Sequence, residues 1–153
     1  MARGENRSAA RLAAVQALYQ MDVAGTGIAE ILAEFQTHWM GREVEGATYK
    51  PAEFEFFRSI VEGVLAHQGG IDREVDETLA SGWPLARVEA VMRAILRAGA
   101  YELRHRKDVP ARVVVSEYVD VGAAFFGREE AGMTNAVLDS LARAQRPLEF
   151  TER

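Results

Sequence analysis

Three kinds of residue in this chain could do chemistry: histidines, clustered carboxylates and arginines. His38, His67 and His105 stand far apart, with no partner at metal-ligand spacing, so neither a metal centre nor an imidazole base is expected. Asp72, Glu74, Asp76 and Glu77 crowd a short polar stretch. A charge run of this kind is more often a solvated face than an acid–base pair. Gly122 and Gly127 have the spacing of a phosphate loop, but the Lys and following Ser or Thr that such a loop needs are missing. The chain has no cysteine, which excludes disulfides and thiolate metal sites. What remains is the chemistry of arginine, whose planar fork matches phosphate oxygens and base edges. Of the 18 basic residues only Lys50 and Lys107 are lysines.

The net charge is −5 but unevenly spread. Arg3, Arg7 and Arg11 face a single glutamate within the first eleven residues. Residues 87–112 carry seven bases against three acids, whereas residues 26–80 carry eleven acids against four bases. An acidic protein with local basic zones can still bind a polyanion, because phosphates respond to the nearby field. Arg7 and Arg11 are four apart and share a helix face, expected to lie off the apolar side. Backbone contact with nucleic acid is the functional reading; solubility at a terminus is the bland one. Arg93 sits four after Glu89, the spacing of an ordinary surface pair. Arg97 lies among apolar neighbours and needs a carboxylate, such as Glu117 on the next helix. Phe125 and Phe126, near Arg128, suit base stacking or, more simply, core packing.

The elements that must position these groups read almost entirely as helix. Ser8 to Val23 is rich in Ala and Leu and stops at Gly25-Thr26-Gly27. Ile28 to Met40 carries Ile28, Ile31, Leu32, Phe35 and Trp39 on one stripe, and Gly41 to Lys50 reads as a polar loop. Pro51 opens a third helix that is expected to stop at Gly69-Gly70, before a short helix from Ile71 to Leu79. After Ser81-Gly82 and a turn at Trp83-Pro84, Val88, Val91, Met92, Ile95, Gly99 and Leu103 recur at helical spacing. Arg93, Arg97 and Arg104 fall on another face of that helix. Pro110 restarts the chain in a helix to Phe126, and a last helix runs from Thr134 to about Arg143, with a tail expected to fray after Pro147. Tyr19, Ile95, Leu96, Tyr101 and Leu138 are expected in the core. About seven helices with short connections make an all-α domain spanning residues 1–153, with helical halves of about 7–69 and 70–146. No apolar run approaches the ~20 residues of a membrane span, and the N-terminus lacks an apolar signal core, so a cytoplasmic protein is expected.

Four strings in order carry a family resemblance. Ala14-Val-Gln-Ala-Leu-Tyr19, Ala94-Ile-Leu-Arg-Ala-Gly-Ala-Tyr-Glu-Leu103, Asp108-Val-Pro110 with Val115-Ser-Glu117, and Asn135-Ala-Val-Leu-Asp139 resemble the signatures of the bacterial transcription antitermination factor NusB. The resemblance covers about residues 7–146. It implies two three-helix bundles packed at right angles and a non-enzymatic role without cofactor. That role is in processive transcription of ribosomal RNA operons, within the RNA polymerase antitermination complex. It implies binding of boxA-type single-stranded RNA jointly with NusE, a ribosomal small-subunit protein.

By position, Arg7 and Arg11 match the family's basic arm, Arg97 its central arginine, Arg112 a basic position after Asp-Val-Pro, and Phe125 its aromatic before the C-terminal turn. Arg3, Arg104, Lys107 and Arg128 complete the expected RNA-binding set. The chain departs from the family at Ser116, Ala123, Gly132-Met133 and Ala136. These departures leave either a weaker grip on RNA or a grip carried by residues such as Arg104, Arg106 and Arg128. A ribosomal RNA cytosine methyltransferase carries a module that resembles the same family. The length leaves no room for its cofactor domain, so that reading ranks second. A purely protein-binding helical adaptor is the third.

Overall fold

The computed structural model describes residues 2–44, 51–79 and 88–151. They form six α-helices and a closing 3-10 turn, with no strand among the described residues. The helices are α1 (Ala2–Ala24), α2 (Ile28–Val44), α3 (Pro51–Thr78), α4 (Ala90–His105), α5 (Ala111–Phe125) and α6 (Arg128–Gln145), and the 3-10 turn is Pro147–Phe150. The Ser81-Gly82 stop and the Trp83-Pro84 turn lie outside the described residues, as does the end of the expected polar loop before Pro51. So does the side chain of Trp39.

Helix α1 ends where Gly25 takes φ +74°, a left-handed conformation that a side chain disfavours, and its N–H closes on Met21 O at 3.1 Å. Helix α2 buries Ile31 and stacks Phe35 on Phe57 of α3, ring centres 5.0 Å apart. Helix α3 does not stop at Gly69-Gly70. It departs from helical geometry at His67 (φ −119°, ψ 18°) and then continues to Thr78. Two glycines cost roughly 1 kcal/mol each in a helix, but Ile71, Val75 and Leu79 beyond them are all buried, and their packing outweighs that cost. The expected short helix is therefore the second limb of α3.

Helix α4 lies at the centre. Ten of its residues from Met92 to Leu103 are buried, and it touches α1, α3, α5 and α6. Its stripe of Met92, Ile95, Gly99 and Leu103 is buried as its periodicity predicts, with Val91 half-buried and Val88 buried just before the helix starts. Two glycines permit close approach. A Cβ on Gly63 would stand 2.2 Å from the Tyr101 ring, and one on Gly99 would stand 2.9 Å from Leu138. Helices α1, α2 and α3 pack on one another, as do α4, α5 and α6, with α4 lying against both sets. Ile95, Leu96, Tyr101 and Leu138 are core residues as expected, but Tyr19 is 38% exposed. Val113-Val114-Val115 is helical: Val114 and Ala111, one turn before it, are both buried and override the strand propensity.

Candidate nucleic-acid interface

The basic residues of α1 meet the start of α5 and the elbow between α4 and α5. Arg11 sits one turn below Arg7, and the structure corrects its expected placement. It is 2% exposed and lies among the buried positions Ala10, Ala14 and Val15. A charge there needs a partner. Glu102 of α4, fully buried, accepts from Arg11 Nε at 2.8 Å and Nη2 at 3.0 Å. Tyr118 donates its hydroxyl to the same carboxylate at 2.5 Å. Arg11 Nη1 reaches Glu117 at 3.3 Å, and Ser8 donates to that carboxylate at 2.7 Å. Burial alone would lower the Arg11 pKa, but the Glu102 hydrogen bond and charge hold it above its ordinary value. Burial, then the charge of Glu102, pushes the Tyr118 phenol well up. The network ties α1, α4 and α5 together.

Above it lies a second arginine cluster. The guanidinium carbons of Arg7, Arg11 and Arg106 stand 4.4, 5.0 and 4.8 Å from the centre of the Phe56 ring, which is buried on α3. Cations near an aromatic ring are attracted by its quadrupole. Arg106 grips Asp108 with two bonds, Nε to Oδ1 at 3.0 Å and Nη2 to Oδ2 at 3.1 Å, and donates Nη1 to Ser59 at 3.1 Å. Arg7 Nη1 lies 3.7 Å from Asp108 Oδ2. The Arg106 hydrogen bond is the main reason the Asp108 carboxyl falls to about 2.

The elbow itself is held by Arg146 and the 3-10 turn Pro147–Phe150, the start of the tail expected to fray. Arg146 is 4% exposed and donates to the carbonyls of Leu103 (2.8 Å), Val109 (2.5 Å), Glu102 (3.0 Å) and Arg106 (2.9 Å). Helix C-termini leave carbonyls unsatisfied and attract cations, so one guanidinium answers both needs. Arg146 also bonds Glu149 at 3.0 Å, and Glu149 accepts the first free N–H of α5, Ala111, at 2.8 Å. That backbone bond is the leading cause of its lowered pKa. Phe150 lies between Arg112 and Arg143, at 4.8 and 4.6 Å. Beside it is a groove of about 340 Å³, lined among others by Arg112, Ser116, Asp120 and Asn135.

The structure thus gathers Arg7, Arg11, the elbow residue Lys107 and Arg112 around the start of α5, with Lys107 and Arg112 exposed. It takes Arg97 elsewhere. The expected Glu117 partner is held by α1, and Arg97 instead forks onto Asp72 of α3 at 2.8 and 2.9 Å, with Asp22 of α1 at 3.6 Å. Arg93 turns to Asp22 at 2.8 Å. Arg104 bonds Glu74 on the second limb of α3. Phe125 is 40% exposed at the opposite end of α5, roughly 20 Å from the elbow at 1.5 Å per residue, while Phe126 packs against the core. Arg3 and Arg128 stand on α1 and α6, but their side chains lie outside the described residues. Sequence reading left out Glu102, Phe56 and Arg146. Glu102 carried a signal: an acid at a buried position of the α4 stripe demands a buried cation.

Among the described residues, no group of three or more His, Asp or Glu could hold a metal, and no helix is long and apolar enough to cross a membrane. The helical scaffold concentrates guanidiniums at one elbow, where their planar forks suit phosphate and carboxylate partners. The chain belongs to the NusB family, whose sequence model matches residues 8–143. It is 64% identical over 148 residues to the transcription antitermination protein NusB of Bradyrhizobium diazoefficiens, covering 97% of this chain and 90% of that protein. The NusB of Rhodopseudomonas palustris is 62% identical over 149 residues, covering 97% and 88%. Among solved structures, T. maritima NusB superposes with a TM-score of 0.79 at 26% identity, covering 94% of this chain and 96% of that one. A structure of antitermination factors NusB and NusE in complex with dsRNA matches with a TM-score of 0.75 at 25% identity, covering 92% and 98%.

Proposed function

We propose that this chain binds boxA-type single-stranded RNA together with NusE. In that role it sustains processive transcription of ribosomal RNA operons within the RNA polymerase antitermination complex. The observation that carries the reading is the guanidinium cluster at the elbow, in a chain of the NusB family. Arg7 and Arg106 are held around Phe56, and Lys107 and Arg112 extend the basic surface. Phosphate contacts supply most of the affinity of such surfaces. The solved NusB–NusE–dsRNA complex supports the pairing of the two ligands. The acidic surplus of the chain and the helices from Ile71 to Phe126 suit a basic protein partner, chiefly by speeding encounter. A binding factor rather than an enzyme, with a cytoplasmic setting, goes with this reading. Arg3, Arg97, Arg104, Phe125 and Arg128 remain proposed RNA contacts. Arg97 and Arg104 would have to exchange carboxylate partners for phosphate.

That exchange favours a second reading, a protein-binding adaptor, because those two cations already have acids. Titration of labelled boxA-type RNA, with and without NusE and against a scrambled control, separates the two. The RNA reading expects selective binding that strengthens with NusE. A 1:1 complex with NusE and no RNA retention would leave the adaptor.

A further inference from the structure

Asp108 is placed as a phosphate would be. Its two oxygens face the Nε and Nη2 fork of Arg106 at 3.0 and 3.1 Å, the bidentate geometry that arginine offers carboxylate and phosphate alike. Oδ2 also faces Arg7 at 3.7 Å, so one acid is shared by guanidiniums from two elements. The receiving cations are positioned by groups other than Asp108. Ser59 holds Arg106 Nη1 at 3.1 Å, and the Phe56 ring lies 4.8 Å from Arg106 and 4.4 Å from Arg7. Asp108 itself is open to water. Its side chain is 51% exposed on the elbow, so releasing it costs only the ion pair with Arg106 and Arg7, which solvent already screens. The Glu102 acid of the neighbouring network is the contrast: it is fully buried, bonded by Arg11 and Tyr118, and cannot be displaced without breaking the core.

Resting on the RNA-binding reading above, we propose that Asp108 is an intramolecular competitor for RNA. Its carboxylate occupies a phosphate subsite made by Arg106 and Arg7, and an RNA phosphate binds there by displacing it. Three consequences follow. Arg106 and Arg7 act on one and the same phosphate. Asp108 weakens binding to RNA of any sequence, since a phosphate carries no base identity. The elbow keeps its arginines neutralised and ordered until a polyanion arrives. With its carboxyl held near 2, Asp108 is a charged competitor at every pH at which RNA binding is measured.

The test compares Asp108→Asn, Arg106→Gln and the double variant with the parent chain, each with saturating NusE. The readout is fluorescence anisotropy of a short boxA-type RNA at four salt concentrations, beside thermal melts. Glu62→Gln, in the exposed pair with Arg58, is the charge-matched control. Asp108→Asn is expected to tighten binding by about threefold to tenfold with the salt slope little changed, because the phosphate is seated in both proteins. Glu62→Gln is expected to change little, and the double variant to lose the gain. A gain no larger than that of Glu62→Gln, or one kept without Arg106, overturns the proposal. Weaker binding by Asp108→Asn overturns it too, and would make Asp108 an organiser of the arginines. If the folded parent chain binds no RNA, the RNA-binding reading itself fails; if it binds and only the Asp108 effect is missing, that reading stands.

Discussion

Arg11 and Glu102 meet through two parallel hydrogen bonds of 2.8 and 3.0 Å in a place that water barely reaches. Arg7, one helical turn away, keeps its side chain 21% exposed and lies near Asp108. Two arginines of one basic arm therefore have different duties.

Replacing Arg11 with Ala leaves Glu102 buried beside Tyr118 without its cation, which is expected to cost about 3–5 kcal/mol. Arg7→Ala is expected to cost under about 1 kcal/mol and to flatten the salt dependence of RNA binding by about 0.7. Denaturant melts and RNA titrations on the two single variants check this. Equal stability of the pair would contradict the buried network.

Arg97 joins α4 to α3 through Asp72 and lies close to Asp22 of α1, with its own side chain 14% exposed. Arg97→Ala is expected to lower stability by about 1.5–3 kcal/mol, the range for hydrogen bonds to charged groups. Arg97→Lys should recover only part, because an ammonium cannot fork onto both Asp72 oxygens. Chemical denaturation of the two variants gives the comparison; full rescue by Lys would refute the forked geometry.

Arg146 spends its donors on four carbonyls and Glu149 at the α4–α5 elbow. Arg146→Met keeps much of the stem and removes the charge. It is expected to destabilise by more than about 3 kcal/mol and to raise amide exchange at residues 106–111. Glu149→Gln should act in the same direction but weakly. Hydrogen exchange read residue by residue shows whether the elbow is the part that loosens.

His67 and His105 stack at 4.1 Å where α3 bends, and Tyr101 stacks on His105 at 5.2 Å. Burial, then the neighbouring His67, lowers the His105 pKa from 6.5. The unfolded chain then binds the proton more readily, so this contribution is present above pH 6.5 and lost as pH falls through the lowered folded value. Melting temperature should fall between pH 7 and 5, and His105→Gln should flatten the slope. The group is exposed, so the effect stays under about 1 kcal/mol.

How much of this was legible in the sequence depended on the range of the interaction. The α4 stripe was readable because Met92, Ile95, Gly99 and Leu103 repeat within one helix. The continuation of α3 was not, because glycine propensity is local while the burial of Ile71 and Val75 is settled by other helices. The site divides likewise. Arginine clustering marked the elbow region, yet no local rule distinguished Arg11 from Arg7, since Glu102 lies 91 residues further on. Arg97 invited a carboxylate, but several were available, and packing of α3 against α4 chose Asp72. Arg146 was invisible for another reason: its acceptors are mostly main-chain carbonyls, which no residue type announces.

The Arg11 network also bears on how the chain reaches its fold. Small helical proteins fold fast when their contacts are local, and non-local contacts must first meet the entropy of closing a long loop. Here the first helix cannot settle its buried charge until Glu102 and Glu117, 91 and 106 residues later, have arrived. Helix α1 is therefore expected to dock late, after α4 and α5 have formed the surface that receives it. During synthesis the leading segment would wait, helical but undocked, for the helices at its back.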